Sequence, residues 1–397
     1  MKHLRLNKWL FFLPLLALQV TWYVALMSAY VSTPGKLEGA DFLTYYAVGR
    51  VALQSGLDKV YDLSLAALAQ AQTAGLSPGM QQVLPPNHPP FLYPILALLA
   101  YLPYRVAYFG YAALLYGLAA TSLPVLVRTL RAMAWNLPAL VLVSLSILLF
   151  EPFFISVLKG QDTAVLLLGG LLGLSGFLSE DDRLSGLGLS LTLIRPQIAL
   201  GLALPFLFRR RKVLGWFVLG AVFLGLYSFL QVGWQGAIDY WHILTLSAQG
   251  EGYGMGETAM FNLLGLLRRL VPTLNPPLAR LIGWGGYAAT LVLLSAVWKV
   301  SRRLKSWHLA LAVSLTLFAV PHLHYHDLAL LLVPVLSTGV TGVRRTKGRW
   351  SDLQAAALPM MVSVLLLFSD LWDPARFTVP YLLMAIFPFL TWHYETR

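Results

Sequence analysis

Apolar runs follow one another along almost the whole chain. They cover 9–30, 91–101, 106–127, 137–157, 163–179, 184–208, 213–232, 278–298, 307–321, 328–343, 353–369 and 377–392 of the 397 residues. About 20 such residues in helical conformation cross the hydrocarbon core of a bilayer. Hydrophobic residues make up 58% of the chain and charged ones 12%, too few charges to coat the water-facing surface of soluble domains of this length. The same apolar content excludes disorder. The expected fold class is an all-α polytopic membrane protein of about 11–13 transmembrane helices, forming one domain over 1–397.

The net charge of +12 is not spread evenly. It sits in short clusters between apolar runs: Lys2/Arg5/Lys8, Arg209-Arg210-Arg211-Lys212, Arg302/Arg303/Lys305 and Arg344/Arg345/Lys347/Arg349. Such clusters mark cytoplasmic loops. No basic stripe interleaved with aromatics occurs, so no nucleic-acid partner is expected. With no cysteine, disulfides, thiol catalysis and thiolate metal sites are excluded. The 9–30 run is longer than the roughly 7–15-residue core of a signal peptide, so it reads as a retained anchor with a cytoplasmic N-terminus, in a multi-pass inner-membrane protein.

Residues 31–88 break the pattern and read as the first extracytoplasmic loop. Within it Tyr45, Tyr46, Val48, Val51 and Ala52 recur at helical spacing, as do Leu63, Ala66, Ala67 and Gln70. Both helices are expected to lie on the membrane surface. Ser77-Pro78-Gly79 and Pro85-Pro86-Asn87-His88-Pro89-Pro90 are breakers. Residues 233–276, rich in Gly, Trp and Tyr, read as a second outer loop. The side on which Arg128 and Arg131 lie stays open, because it depends on whether 89–104 crosses.

The 184–208 run lies between two charged markers, Glu180–Arg183 and Arg209–Lys212. It is too short for two full crossings of about 20 residues each. If both markers are cytoplasmic, the segment enters and returns as two half-helices, turning at Arg195-Pro196-Gln197. Proline suits the first turn of the second half. The alternative is one long helix kinked at Pro196. A broken helix at that depth is tolerated only inside protein or beside a wet cavity. An arginine there costs at least about 2.5–3.5 kcal/mol and needs an anion. No carboxylate stands nearby along the run, so a ligand phosphate is the economical partner. Gly169, Gly173 and Gly176 share a helix face and read as close packing.

Polar constellations are few. Asp41, ahead of Phe42, Tyr45 and Tyr46, reads either as a general base at the bilayer edge or as a helix cap. His88 sits in a stiff proline-flanked entrance that faces substrate or merely starts a helix. Lys159-Gly160-Gln161-Asp162 links two runs: Asp162 suits a cap, and Gln161 suits a sugar hydroxyl. His322, His324, Tyr325, His326 and Asp327 form the densest cluster. Metal, phosphate or sugar binding and a plain polar helix end are all open for it. No Walker loop or serine elbow occurs.

In this order the motifs resemble glycosyltransferase family 87: Asp41-Phe42-x-x-Tyr45-Tyr46, the proline-flanked entrance, Gly160-Gln161, the Arg195-Pro196 turn before a basic loop, and the late histidines. The resemblance covers about 40–340. It implies the GT-C membrane fold of the polyprenol-phosphate-mannose-dependent α-mannosyltransferases, also grouped as domain of unknown function 2029. It further implies a polyprenyl-phosphate sugar donor, a glycolipid or glycan acceptor, and transfer of mannose or another hexose on the outer face. Asp41 matches the family's catalytic aspartate. Arg195 stands where lysine is commoner, and Asp162 where asparagine is commoner. The chemistry fits: a base for the acceptor hydroxyl and cations for the leaving phosphate suffice, and direct displacement inverts the sugar carbon. Asp41 is expected as the base. Arg195 with His322, His324 and His326 is expected to hold phosphate, and Tyr45, Tyr46, His88, Gln161 and Asp162 to bind substrate, with no metal or other cofactor. The competing reading is a transporter or flippase of a lipid-linked or small polar solute, which also uses broken helices.

Overall fold

A computed structural model describes residues 12–37, 41–75, 84–249, 256–345 and 351–396. The basic residues Lys2, Arg5, Lys8, Lys347 and Arg349 and the Ser77-Pro78-Gly79 breaker lie outside them. The described chain is helical, with no strand. After α1 (Leu13–Ser32) come α2 (Phe42–Ser55), α3 (Leu63–Ala74) and the short α4 (Tyr93–Leu99). The bent pairs α5 (Tyr104–Thr121) with α6 (Leu123–Ala132) and α7 (Leu137–Leu148) with α8 (Glu151–Lys159) follow. Next are α9 (Thr163–Leu178), α10 (Asp182–Ser190), α11 (Pro196–Ala203) and α12 (Arg211–Gln249). The chain ends with α13 (Leu263–Leu270), α14 (Pro276–Val300), α15 (Ser306–Ala319), α16 (Leu332–Arg345), α17 (Asp352–Ser369) and α18 (Asp373–Thr396).

Among the described residues, eight helical segments are long and apolar enough to cross a bilayer. The other apolar runs are shorter helices: Pro90–Leu99, Thr163–Leu178, Pro196–Leu207 and Ser306–Ala319. The protein is thus an all-α polytopic membrane protein. Proline sits at the start of α6, α8 and α11, where its missing N–H costs least, so these breaks are written locally.

The break at Arg195 is present, and the two halves return to their starting level. Arg210 Nε donates to Asp182 Oδ1 at 2.7 Å, which joins the two markers flanking the segment. Arg195 stands at the tip of this hairpin. A face of α9 lies flat on α10, since a Cβ on Gly176 would meet Ser185 N at 2.2 Å and one on Gly169 the Gly188 carbonyl at 2.9 Å. The three glycines are therefore packing residues.

The described basic residues at 209–212, 302–305 and 344–345 gather at one end of the bundle. Arg209 Nη2 donates to the Lys299 carbonyl (3.5 Å) and Lys305 Nζ to the Glu395 carbonyl (3.0 Å). Glu395 shares a small cavity with Arg344 and Arg345. Asp352, at the start of α17, accepts from the Asn136 N–H at 2.7 Å. That contact brings Arg128 and Arg131 of α6 to the same end of the bundle.

One expectation changes. The 233–276 stretch is largely helical: α12 bends at Gly233 (φ 64°, ψ −168°) and continues to Gln249. Glycine absorbs that conformation without ending the helix. The two helices of the first loop exist, and α2 is covered by the rest of the protein. Its residues from Phe42 to Gly49 are all buried. It lies so close to α4 that a Cβ on Gly49 would stand 2.3 Å from the Leu96 carbonyl oxygen.

Candidate active site

A cavity of about 480 Å³ opens at the end of the bundle away from the basic clusters. Four chain segments build its polar wall. The first is the start of α2. Gly160 adopts a left-handed conformation (φ 72°) that ends α8, and a Cβ there would lie 2.4 Å from the Phe42 Cβ. This close approach seats Phe42, and hence Asp41, beside the Gln161-Asp162 link. Asp41 occupies the cap position of α2, yet its side chain caps nothing. Among the described residues its carboxylate has no hydrogen-bond or ion-pair partner, and it lines the cavity.

The second segment carries His88. Residues before proline are held extended, and the hydroxyls of Tyr61 and Tyr93 both donate to the His88 carbonyl (2.7 and 2.9 Å). The imidazole is thereby aimed inward. Arg195 Nη1 donates to His88 Nδ1 at 2.7 Å, so the ring proton is assigned to Nε2, which faces Tyr45 Oη at 2.8 Å. The Tyr45 hydroxyl then points its own proton at Gln161 Oε1, 3.4 Å away. Burial first, then the neighbouring Arg195 charge, pushes the His88 pKa down to about 4 against the pull of Asp162. The ring is neutral at pH 7.

The third segment is the hairpin tip. Arg195 lines the cavity and already has carboxylates beside it, which the run around it does not show. Its Nη2 lies 2.9 Å from Asp162 Oδ1 and its Nε 3.4 Å from Asp327 Oδ1. Both carboxylates come from other helices, far along the chain, which is why inspection of the run does not find them. Asp162 is fully buried and makes no cap bond to α9, so the capping reading gives way. Burial works against its ionisation, but the Arg195 charge outweighs it and keeps the carboxyl below its usual pKa.

The fourth segment is the late histidine turn. The Asn262 side chain holds the Val320 carbonyl (2.7 Å), and the Phe261 N–H donates to the Leu323 carbonyl (3.1 Å), fixing 320–324 against α13. The His324 N–H donates to Asp327 Oδ2 at 3.2 Å. His322, His324 and His326 all reach the cavity, with the first two rings edge to face at 4.5 Å. Burial pushes His322 down to about 3 and lowers His324 as well. Among the described residues no group of histidines and carboxylates is arranged to hold a metal ion.

Of the expected residues, Asp41, Tyr45, His88, Gln161, Arg195, His322, His324 and His326 share the cavity, and Asp162 stands just behind it. Tyr46 does not join them. Its hydroxyl donates to the Leu102 carbonyl (2.8 Å) and its ring packs on Tyr104, which makes it a core residue. Asp327 is missed by sequence reasoning as a site residue, although its place at the end of the histidine cluster is a usable signal. Glu257, bridging Arg268 (3.1 Å) and Arg280 (2.6 Å) at the far wall, has no such signal.

None of the curated proteins compared with the chain matches it. The family model described as "Glycosyltransferase family 87" matches residues 87–321. These include His88, Gln161, Asp162 and Arg195, leave out Asp41, and stop one residue before His322. Because that match spans more than half of the 397 residues, the chain belongs to glycosyltransferase family 87 and is a membrane glycosyltransferase.

Proposed function

We propose that the protein transfers a hexose, mannose foremost, from a polyprenyl-phosphate donor to a hydroxyl of a glycolipid or glycan, with inversion, on the extracytoplasmic face. The observation that carries this reading is the meeting of Asp41, a carboxylate with no partner among the described residues, with Arg195 and three histidines around one cavity. Asp41 takes the proton of the acceptor hydroxyl. The acceptor oxygen attacks the anomeric carbon, and the bond to the donor phosphate breaks, with its electron pair leaving on the phosphate oxygen. One displacement inverts that carbon. The basic clusters at the opposite end support an outward-facing cavity.

Arg195 takes a different part from the one its position suggests. Asp162 and Asp327 already share its charge, so the donor phosphate is met by the N–H edges of His322, His324 and His326 and by the remaining field of the guanidinium. Burial lowers the pKa values of His322 and His324; a phosphate beside them raises these again, so donor affinity rises as pH falls. The test is incubation of the purified chain with polyprenyl-phosphate sugars, nucleotide sugars and a glycoside acceptor, scoring carrier release and the anomeric configuration of the product. Inverted product from polyprenyl donors alone is expected. Turnover of nucleotide sugars in place of polyprenyl donors overturns the reading.

A further inference from the structure

A second cavity, of about 370 Å³, lies at the basic end, lined by Ser306, Thr341, Arg344, Arg345 and Glu395. It belongs to the last turn of α16, the first turn of α15 and the last turn of α18, remote from the cavity of the proposed reaction. Thr341 is 3% exposed, yet among the described residues its hydroxyl has no hydrogen-bond partner. A buried helical threonine ordinarily bonds back to the preceding turn, as Thr338 does to the Pro334 carbonyl at 2.9 Å. Arg344 and Arg345 are exposed and form no ion pair with a described acidic residue. The Glu395 carboxylate is turned from them, accepting the backbone N–H groups of Ser306 (3.0 Å) and Trp307 (3.3 Å). On α18, the helix that carries Glu395, Trp392 (43% exposed) lies one turn and Phe389 (57% exposed) about two turns before it, exposed apolar surface suited to acyl chains.

We propose that this cavity binds the phosphate of an anionic phospholipid. Arg344 and Arg345 pair with its oxygens, the Thr341 hydroxyl donates to one of them, and the acyl chains lie along Phe389 and Trp392. The full chain, purified in detergent, is titrated with phosphatidylglycerol, with phosphatidylcholine of the same acyl chains, and with inorganic phosphate, and bound ligand is counted by native mass spectrometry. Phosphatidylglycerol is expected to bind and phosphatidylcholine to bind far more weakly. Each arginine near an anionic headgroup contributes about a fivefold gain, so R344Q/R345Q weakens binding about thirtyfold. T341V, which keeps shape and charge, weakens it as well. R302Q/R303Q removes the same charge outside the cavity and leaves binding within about threefold of wild type. An equal loss in R302Q/R303Q reveals diffuse attraction and overturns the site. Phosphate binding with no preference for the anionic lipid overturns the lipid assignment.

Discussion

Asp41→Asn separates chemistry from folding more cleanly than any other change. A positioned general base contributes roughly 10²–10⁴ in rate, which is about 3–5.5 kcal/mol of transition-state stabilisation. The side chain has little structural work to lose. It makes no cap bond to α2 and has no described partner, so only its favourable interaction with the positive end of that helix is at stake, about 0.3–1 kcal/mol. Asparagine has the same shape and stays in the same place. The variant is therefore expected to unfold within about 1 kcal/mol of wild type while kcat drops at least about a hundredfold. Sugar transfer from the polyprenyl donor is followed at saturating donor and acceptor, and unfolding is followed in parallel on the same preparation. Donor affinity stays near normal, because the phosphate-facing groups are untouched. A variant that turns over within about tenfold of wild type, with its fold intact, refutes the assignment of Asp41 as base. A large loss of stability assigns Asp41 a structural role instead.

Three further outcomes follow from the geometry. Asp162→Ala leaves Arg195 with Asp327 alone at 3.4 Å and is expected to cost about 3 kcal/mol, the lower end for breaking a buried pair; Asp162→Asn, which still presents an oxygen to Nη2, costs clearly less in the same unfolding titration. Gly160→Ala forces a Cβ into Phe42 at a positive φ, so about 1–3 kcal/mol of overpacking is accompanied by displacement of Asp41 and a fall in kcat larger than the change in donor KM. The pKa of His88 is about 4 when folded, below the ordinary value of 6.5, with Asp162, Arg195, Asp327 and Asp41 as its charged neighbours. The unfolded chain therefore binds the extra proton first. The contribution of His88 to stability is therefore fully present above about pH 6.5 and is lost as pH drops from about 6.5 to about 4. His88→Gln, which cannot titrate, is expected to flatten part of that slope.

Much of the architecture is legible without coordinates. The lengths of the apolar runs, the basic clusters between them and the prolines at the starts of α6, α8 and α11 are local features. A membrane leaves a backbone no alternative but to pair with itself. The hairpin at Arg195-Pro196 follows from counting residues between two charged markers. Asp41, His88 and the late histidines are legible as polar exceptions in an apolar chain. What stays hidden depends on which helices touch. The partners of Arg195 are Asp162 and Asp327, brought in from 33 residues upstream and 132 residues downstream, and no periodicity marks such a meeting. Tyr46 shares a helix with Tyr45 and has the same composition around it, yet the close approach at Gly49 turns it into the core. The sequence by itself determined that this chain lives in lipid and where its helices break, because hydrophobic length and proline act one segment at a time. Only the tertiary structure decided which charges neutralise one another and which polar groups share a cavity, because electrostatic pairing depends on distance in space.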